Sequence, residues 1–265
     1  MRPLVTTRIY PTEYLKTILD TQQQWGEYIN SLTNFTFVKF GDGELFCMMG
    51  MMGENCDRHP YSPGLAQKLH NAWNYFSTCN LPHLYIAEWG TQPGSFGTPQ
   101  YITPLQTPDQ PGAAFLSQLL SKYPNRSFKL VNYEILMHHM LSEQKFNFFN
   151  TIKHTTRKKI LVGPERLSAA CSFLNINTHL QIPLVNAFER YDSVLQHCKD
   201  VMEDNAIFMF CGGMPTKSLV GELMQYNSNV TYLDIGSGFD PLFVGNTREG
   251  QIPENMVKEY YKELL

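Results

Sequence analysis

No apolar run in the 265-residue chain approaches the roughly 18 residues that a membrane-spanning helix needs. No membrane span is expected. The N-terminus is polar and shows no secretory signal. The six cysteines (Cys47, Cys56, Cys79, Cys171, Cys198 and Cys211) form no CxxC pair and have no metal-finger spacing. Most fall in apolar runs, where a thiol behaves as a small hydrophobe, so the expectation is reduced cysteines in a cytoplasmic protein. Three triplets match glycosylation sequons, at Asn34, Asn125 and Asn229, but such triplets recur by chance. Positive charge is also in short supply. A formal net charge of −3 argues against broad nucleic-acid binding, while leaving room for a local basic pocket. There is no G-x-S-x-G elbow for serine hydrolysis and no Walker A spacing for P-loop ATP chemistry. No internal repeat or low-complexity linker divides the chain, so one domain over residues 1–265 is expected.

What is present is an alternation of strands and helices. With 43% hydrophobic and 17% charged residues, the chain can bury a full core. Tyr14, Leu15, Ile18, Leu19, Trp25 and Ile29 recur at helical spacing and predict an opening helix over about 11–31. The β-rich FTFVKF follows, then GDGE, then a short helix from Leu45 to about Met52. Pro63 to Phe76 reads as a second helix, LPHLYIAEW as a strand, and about 90–112 as a long loop rich in Gly, Pro, Thr and Gln. KLVNY reads as a strand, and a helix is expected to begin at Glu134 and run to Leu141. Three strand-loop-helix units come next: KILVGPERLSAACSFL, LQIPLVNAFERYDSVLQHCKDVM and AIFMFCGGMPTKSLVGELM. VTYLDIGSGFD supplies a last strand. The pattern predicts an α/β fold, Rossmann-like, with a mostly parallel sheet and helices on both faces.

Ligands of such sheets bind outside the carboxyl ends of the strands, where five polar loops are expected. Asp42 and Glu44, with Gly43 between them, can reach one hard cation, or can simply form a surface turn. Gly212 to Lys217 opens a helix whose amides favour an anion; otherwise Lys217 is a solvated helix-start lysine. Arg166 suits bidentate phosphate binding, or a surface ion pair. Asn186 reads as a pocket residue or a helix cap. LDIGSGFD looks like the glycine loop of an S-adenosylmethionine methyltransferase, yet only residues 241–265 follow it, too few for the rest of that core. Asp234 and Asp240 remain as strand-end carboxylates. His138 and His139 are adjacent and expected to face different ways in a helix. His59 lies in a loop near the acidic pair and could contact a substrate.

Taken in order, the motifs resemble the GT-D-fold glycosyltransferases, a bacterial family long catalogued as a domain of unknown function. VKFGDGELF is similar to its R-[FY]-G-D-G-E opening, with Lys39 in the arginine position. PGLAQKL, ILVGPER, IPLVNAFERYD, FCGGMPTKSL and YLDIG resemble the later motifs in sequence, and the likeness spans roughly residues 35 to 245. Ser237 stands where the family usually has histidine. The resemblance implies transfer of a sugar from a nucleotide-diphosphate donor, a UDP-sugar, to a hydroxyl of a glycan or glycoconjugate acceptor. It implies Asp42 and Glu44 as a D-x-E motif for Mn²⁺ or Mg²⁺. Lys39, Gly41, Gly163, Arg166, Asn186, Gly212, Gly213, Lys217 and Asp234 are expected around the nucleotide and phosphates. Asp240 is the first choice for a catalytic base and Glu134 the second. A phosphoester hydrolase and a non-catalytic nucleotide-sugar-binding domain are the alternatives.

Overall fold

The structure is a computed structural model that describes residues 2–8, 10–55, 58–88, 111–248 and 250–265. Its strands are β1 (Val5–Thr6), β2 (Thr36–Phe40), β3 (Leu84–Glu88), β4 (Lys129–Asn132), β5 (Met140–Leu141), β6 (Lys159–Gly163), β7 (Thr178–Gln181), β8 (Ile207–Phe210) and β9 (Thr231–Asp234). The helices are α1 (Thr12–Asn30), α2 (Asp42–Met48), α3 (Pro63–Thr78), α4 (Pro111–Lys122), α5 (Glu143–His154), α6 (Ala170–Leu174), α7 (Tyr191–Val201), α8 (Pro215–Tyr226), α9 (Asp240–Phe243) and α10 (Glu254–Tyr261). Seven strands form one sheet in the order β4-β3-β2-β9-β8-β6-β7, with every pairing parallel. This is the expected α/β architecture.

The strands read as near-continuous apolar runs because both faces of the sheet are covered. Phe37, Leu161, Ile207, Met209 and Leu233 point into one core, under α1, α5 and α10. Val38, Phe40, Ile160, Phe208 and Phe210 point into the other, under α3, α7 and α8. Trp25 of α1 centres the first core, against Phe35, Phe37 and Tyr85. In the second, Phe40 meets Trp73 edge to face at 4.9 Å. Burying side chains of this size contributes about 1.5–3 kcal/mol each. Helix α1 buries Ile18, Gln22, Trp25 and Ile29 on one stripe. Gln22 is polar but satisfied: its amide donates to the Ile135 carbonyl at 2.7 Å and accepts from Ser142 at 2.7 Å.

Three local expectations need correction. The helix after GDGE starts at Asp42 rather than Leu45, because Glu44 folds back onto the amide of Gly41 at 2.8 Å and closes the first turn. The helix expected over Glu134 to Leu141 does not form. The Asn132 carboxamide accepts from the Glu134 amide at 2.6 Å and turns the chain. Residues 140–141 then pair antiparallel with β1, and α5 starts later, capped by Ser142. Of the expected loop over 90–112, residues 90–110 lie outside the described residues, as does residue 89. From Pro111, a favourable first helical residue, the chain is already helical.

Topology also sets where a ligand can enter. The chain after β2 crosses to the core that contains Leu45 and Met48, while the chain after β9 crosses to the core that contains Phe239 and Leu242. Because β2 and β9 are neighbours, their following loops part and leave a crevice above the carboxyl ends. Among the described residues, no helix is long and apolar enough to cross a membrane.

Candidate active site

A cleft of about 600 Å³ fills that crevice. Strand β2 delivers Lys39, and the start of α2 delivers Asp42 and Glu44. The turn after β4 brings Tyr133, Glu134 and Met137; the end of β6 brings Arg166. The β8–α8 loop contributes Gly212 and Gly213, the first turn of α8 contributes Lys217, and the chain beyond β9 contributes Ser237, Asp240 and Arg248.

The floor is a network of charges at the mouth of β2 and β9. Lys217 is 3% exposed and Glu44 5%. The Lys217 ammonium lies 2.8 Å from Glu44 Oε1 and 3.1 Å from Asp234 Oδ2, and donates to the Gly213 carbonyl at 3.1 Å. Burial alone would lower the pKa of Lys217, but Asp234 and Glu44 outweigh it and raise the value. The ammonium is therefore firmly held as a cation. Asp234 also accepts from the amide of Lys39 at 3.1 Å, and Lys39 Nζ donates to the Ile235 carbonyl at 2.9 Å. Burial drives the Lys39 pKa down, against an upward pull from Asp234. Gly236 makes room for that lysine: its φ is +57°, and a Cβ there would collide with Lys39 Nζ.

A divalent ion does not fit the Asp42–Glu44 pair as the protein holds it. Asp42 is exposed at the rim, where crowding by protein atoms and then the Glu44 charge raise its pKa. Glu44 has both oxygens engaged, Oε2 by the Gly41 amide and Oε1 by Lys217. A dication at Glu44 would have to displace the Lys217 ammonium or share the carboxylate with it. Among the described residues, no group of three or more His, Cys, Asp or Glu side chains is arranged to hold a metal.

Two buried carboxylates face the cleft. Asp240, at the start of α9, accepts from Thr247 at 2.5 Å, and its Oδ2 lies 3.7 Å from Arg166. Glu134 lies 2.8 Å from Arg8 and accepts from the Tyr10 hydroxyl at 2.7 Å. Burial outweighs these partners and pushes the Glu134 pKa up to about 7. The same setting holds His139 neutral, down to about 3, through burial and then the Arg8 charge.

Several expected positions are not on the cleft wall. Gly41, Gly163 and Asp234 lie beneath it, in the capping turn, the β6 packing against Cys211, and the lysine network. Asn186 is not brought to the cleft. It sits at φ 53° before a 3-10 turn and donates to Glu189 at 2.5 Å. The same loop lines the cleft instead through Pro183, Leu184 and Val185. His138 and His139 are both buried, in a turn rather than a helix.

Sequence reasoning missed Arg58, Tyr133, Met137 and Arg248 on the cleft wall. Arg58 has φ +61°, a costly conformation for a side-chain-bearing residue. Hydrogen bonds from its own amide to the Asn55 carbonyl at 2.9 Å, and from His59 to the Asn55 side chain at 2.9 Å, hold it there. No repeated motif marks such a turn in the sequence. His59, expected in a loop near the acidic pair where it could contact a substrate, is buried on the cleft wall with its ring against Gly213.

No family model and no curated protein matches the chain. Two solved structures are similar to it. One is a selenomethionine-substituted structure of domain of unknown function 1792 (DUF1792), 19% identical, with a TM-score of 0.51 over 83% of this chain and 81% of that one. The other, 18% identical with the same TM-score and coverage, is described as a highly conserved domain of unknown function 1792 with a distinct glycosyltransferase fold. At that identity the likeness concerns the fold, which is of the glycosyltransferase type.

Proposed function

We propose that the protein is a glycosyltransferase that moves a sugar from a nucleoside-diphosphate sugar, a UDP-sugar first among them, to a hydroxyl of a glycan or glycoconjugate. One observation carries the reading. A cleft at the carboxyl ends of a parallel sheet, in a glycosyltransferase-type fold, combines cationic side chains with buried carboxylates. Cations suit a diphosphate, and a carboxylate suits the proton of an incoming hydroxyl.

In this mechanism the acceptor oxygen bonds to the anomeric carbon as the bond from that carbon to the phosphate oxygen breaks. The electron pair leaves with the nucleoside diphosphate, and the acceptor proton passes to Asp240. Glu134 is the second choice for this proton, since Arg8 and Tyr10 already occupy its oxygens. Asp42, exposed at the rim, accepts hydroxyls of the transferred sugar. The apolar wall of Leu184 and Val185 offers the nucleoside a dry surface. A cytoplasmic setting belongs to the same reading, and the described cysteines Cys47, Cys79, Cys171, Cys198 and Cys211 are all free thiols.

The test is incubation with UDP-, GDP- and dTDP-sugars, with and without glycan acceptors. Nucleotide release that depends on acceptor supports transfer. Release of phosphate from simple esters would instead make the protein a hydrolase. Thermal stabilisation by a nucleotide-sugar with no turnover would make it a binding domain.

A further inference from the structure

Glu44 and Lys217 settle each other's charge, and three arginines of the cleft wall, Arg58 and Arg166 exposed and Arg248 half-buried, lie outside that pair. We infer that Arg58, Arg166 and Arg248 hold the donor diphosphate and take up its charge on departure, without a divalent ion at Asp42 and Glu44. The inference rests on the reading of the cleft as a nucleotide-sugar site.

The buried floor is electrically closed. Lys39 and Lys217 balance Glu44 and Asp234, and the three donor positions of Lys217 are met by Glu44, Asp234 and the Gly213 carbonyl. Lys217 therefore has no donor left for a phosphate, and a metal at Glu44 would have to share the carboxylate with that ammonium. Arg166 lies 3.7 Å from Asp240 and Arg248 donates to the Thr247 carbonyl at 3.0 Å, and both line the cleft with Arg58. All three line the cleft, each from a different element: Arg58 from the loop after α2, Arg166 from the end of β6, and Arg248 from the segment after α9. Guanidinium groups carry fixed charge and match phosphate oxygens in pairs. Arg58 is kept in a left-handed backbone conformation by the Asn55 turn, which aims an exposed guanidinium at the cleft at a local conformational cost. As the bond from the anomeric carbon to the phosphate oxygen breaks, the pair of electrons stays on the diphosphate, and these guanidinium groups face the added charge.

The experiment uses the full chain, stripped of metals by chelator, with UDP as the probe. UDP affinity is expected to be the same within about twofold in chelator and in added Mn²⁺. Arg58→Ala and Arg248→Ala are each expected to weaken UDP binding by at least about tenfold, with their melting temperatures in the absence of UDP unchanged. Direct Mn²⁺ titration followed by electron paramagnetic resonance should show no site in the wild-type protein. It should show one in Lys217→Met, where Glu44 and Asp234 are released beside Asp42. UDP affinity that drops tenfold on chelation, returns with Mn²⁺ and is lost in Asp42→Ala would overturn the inference while leaving the glycosyltransferase reading intact. A folded Lys217→Met that takes up no Mn²⁺ would also overturn it. Should Lys217→Met not fold, the chelation result on the wild-type protein decides. Failure of UDP and the other nucleoside diphosphates to bind in either condition would remove the underlying reading and this inference together.

Discussion

Replacing Glu134 by Gln removes a single buried charge and leaves a side chain of the same shape. In the folded chain this carboxyl ionises at about 7, against 4.5 for its unperturbed value. Between those two pH values the folded state binds more protons here than the unfolded state does. Folding stability from this group is therefore present below about pH 4.5 and is lost as the pH rises to about 7. At 1.36 kcal/mol per pH unit, the loss amounts to about 3 kcal/mol. His139 acts in the opposite sense, because its pKa is held down to about 3 and the unfolded state takes up its proton first. His139, 3.4 Å from Glu134, and Lys145, whose charge Glu134 supports, respond to the substitution as well, so the difference between the two proteins carries their response together with that of Glu134. Urea denaturation of wild type and Glu134→Gln at steps from pH 4.5 to 7 gives the assay. The stability of the variant relative to wild type should climb by about 3 kcal/mol across the interval, on top of a constant offset from the lost Arg8 contact. A difference that stays flat with pH would show that Arg8 and Tyr10 outweigh burial, and the reasoning from desolvation would fail.

Two other substitutions probe the cleft. Asp240→Asn keeps an oxygen for the Thr247 hydrogen bond but cannot take a proton, so kcat should fall by about 10²–10⁴-fold with the melting temperature preserved; unchanged turnover would remove Asp240 as the base. Gly236→Ala forces a side chain into a φ of +57° and against Lys39 Nζ, so it should destabilise the fold by about 1–2 kcal/mol in chemical denaturation; an unaltered midpoint would mean the lysine moves aside freely.

Elements with strong local signals were legible in the sequence. Helix α1 was expected over about 11–31 and spans Thr12–Asn30, because its apolar stripe and the tryptophan leave one solution. The parallel character of β6, β7, β8 and β9 followed from apolar runs separated by amphipathic helices, but their order in the sheet did not. Charge pairing was not legible. Nothing near Glu44 in the sequence marks Lys217 as its partner, since a contact across 173 positions exists only once β2 lies beside β9. For the same reason, Asn186 was placed in the pocket from its motif alone, whereas its left-handed backbone directs it to Glu189. The segment from Glu134 to Leu141 has helical composition, but side-chain bonds from Asn132 and pairing with β1 override that propensity.

The position of β9 has a consequence for how the molecule assembles. This strand lies between β2 and β8, paired at Thr36 with Tyr232 and at Phe208 with Tyr232, yet among the described residues it is the last strand. Without it, β4-β3-β2 and β8-β6-β7 would be two part-sheets, each with an open inner edge. Pairings of such long sequence separation fold slowly and leave sticky edges exposed in the meantime. Synthesis must therefore run past residue 234 before the two halves can join. The floor of the cleft is completed by the same event, because that floor and the seam of the sheet are closed by one strand.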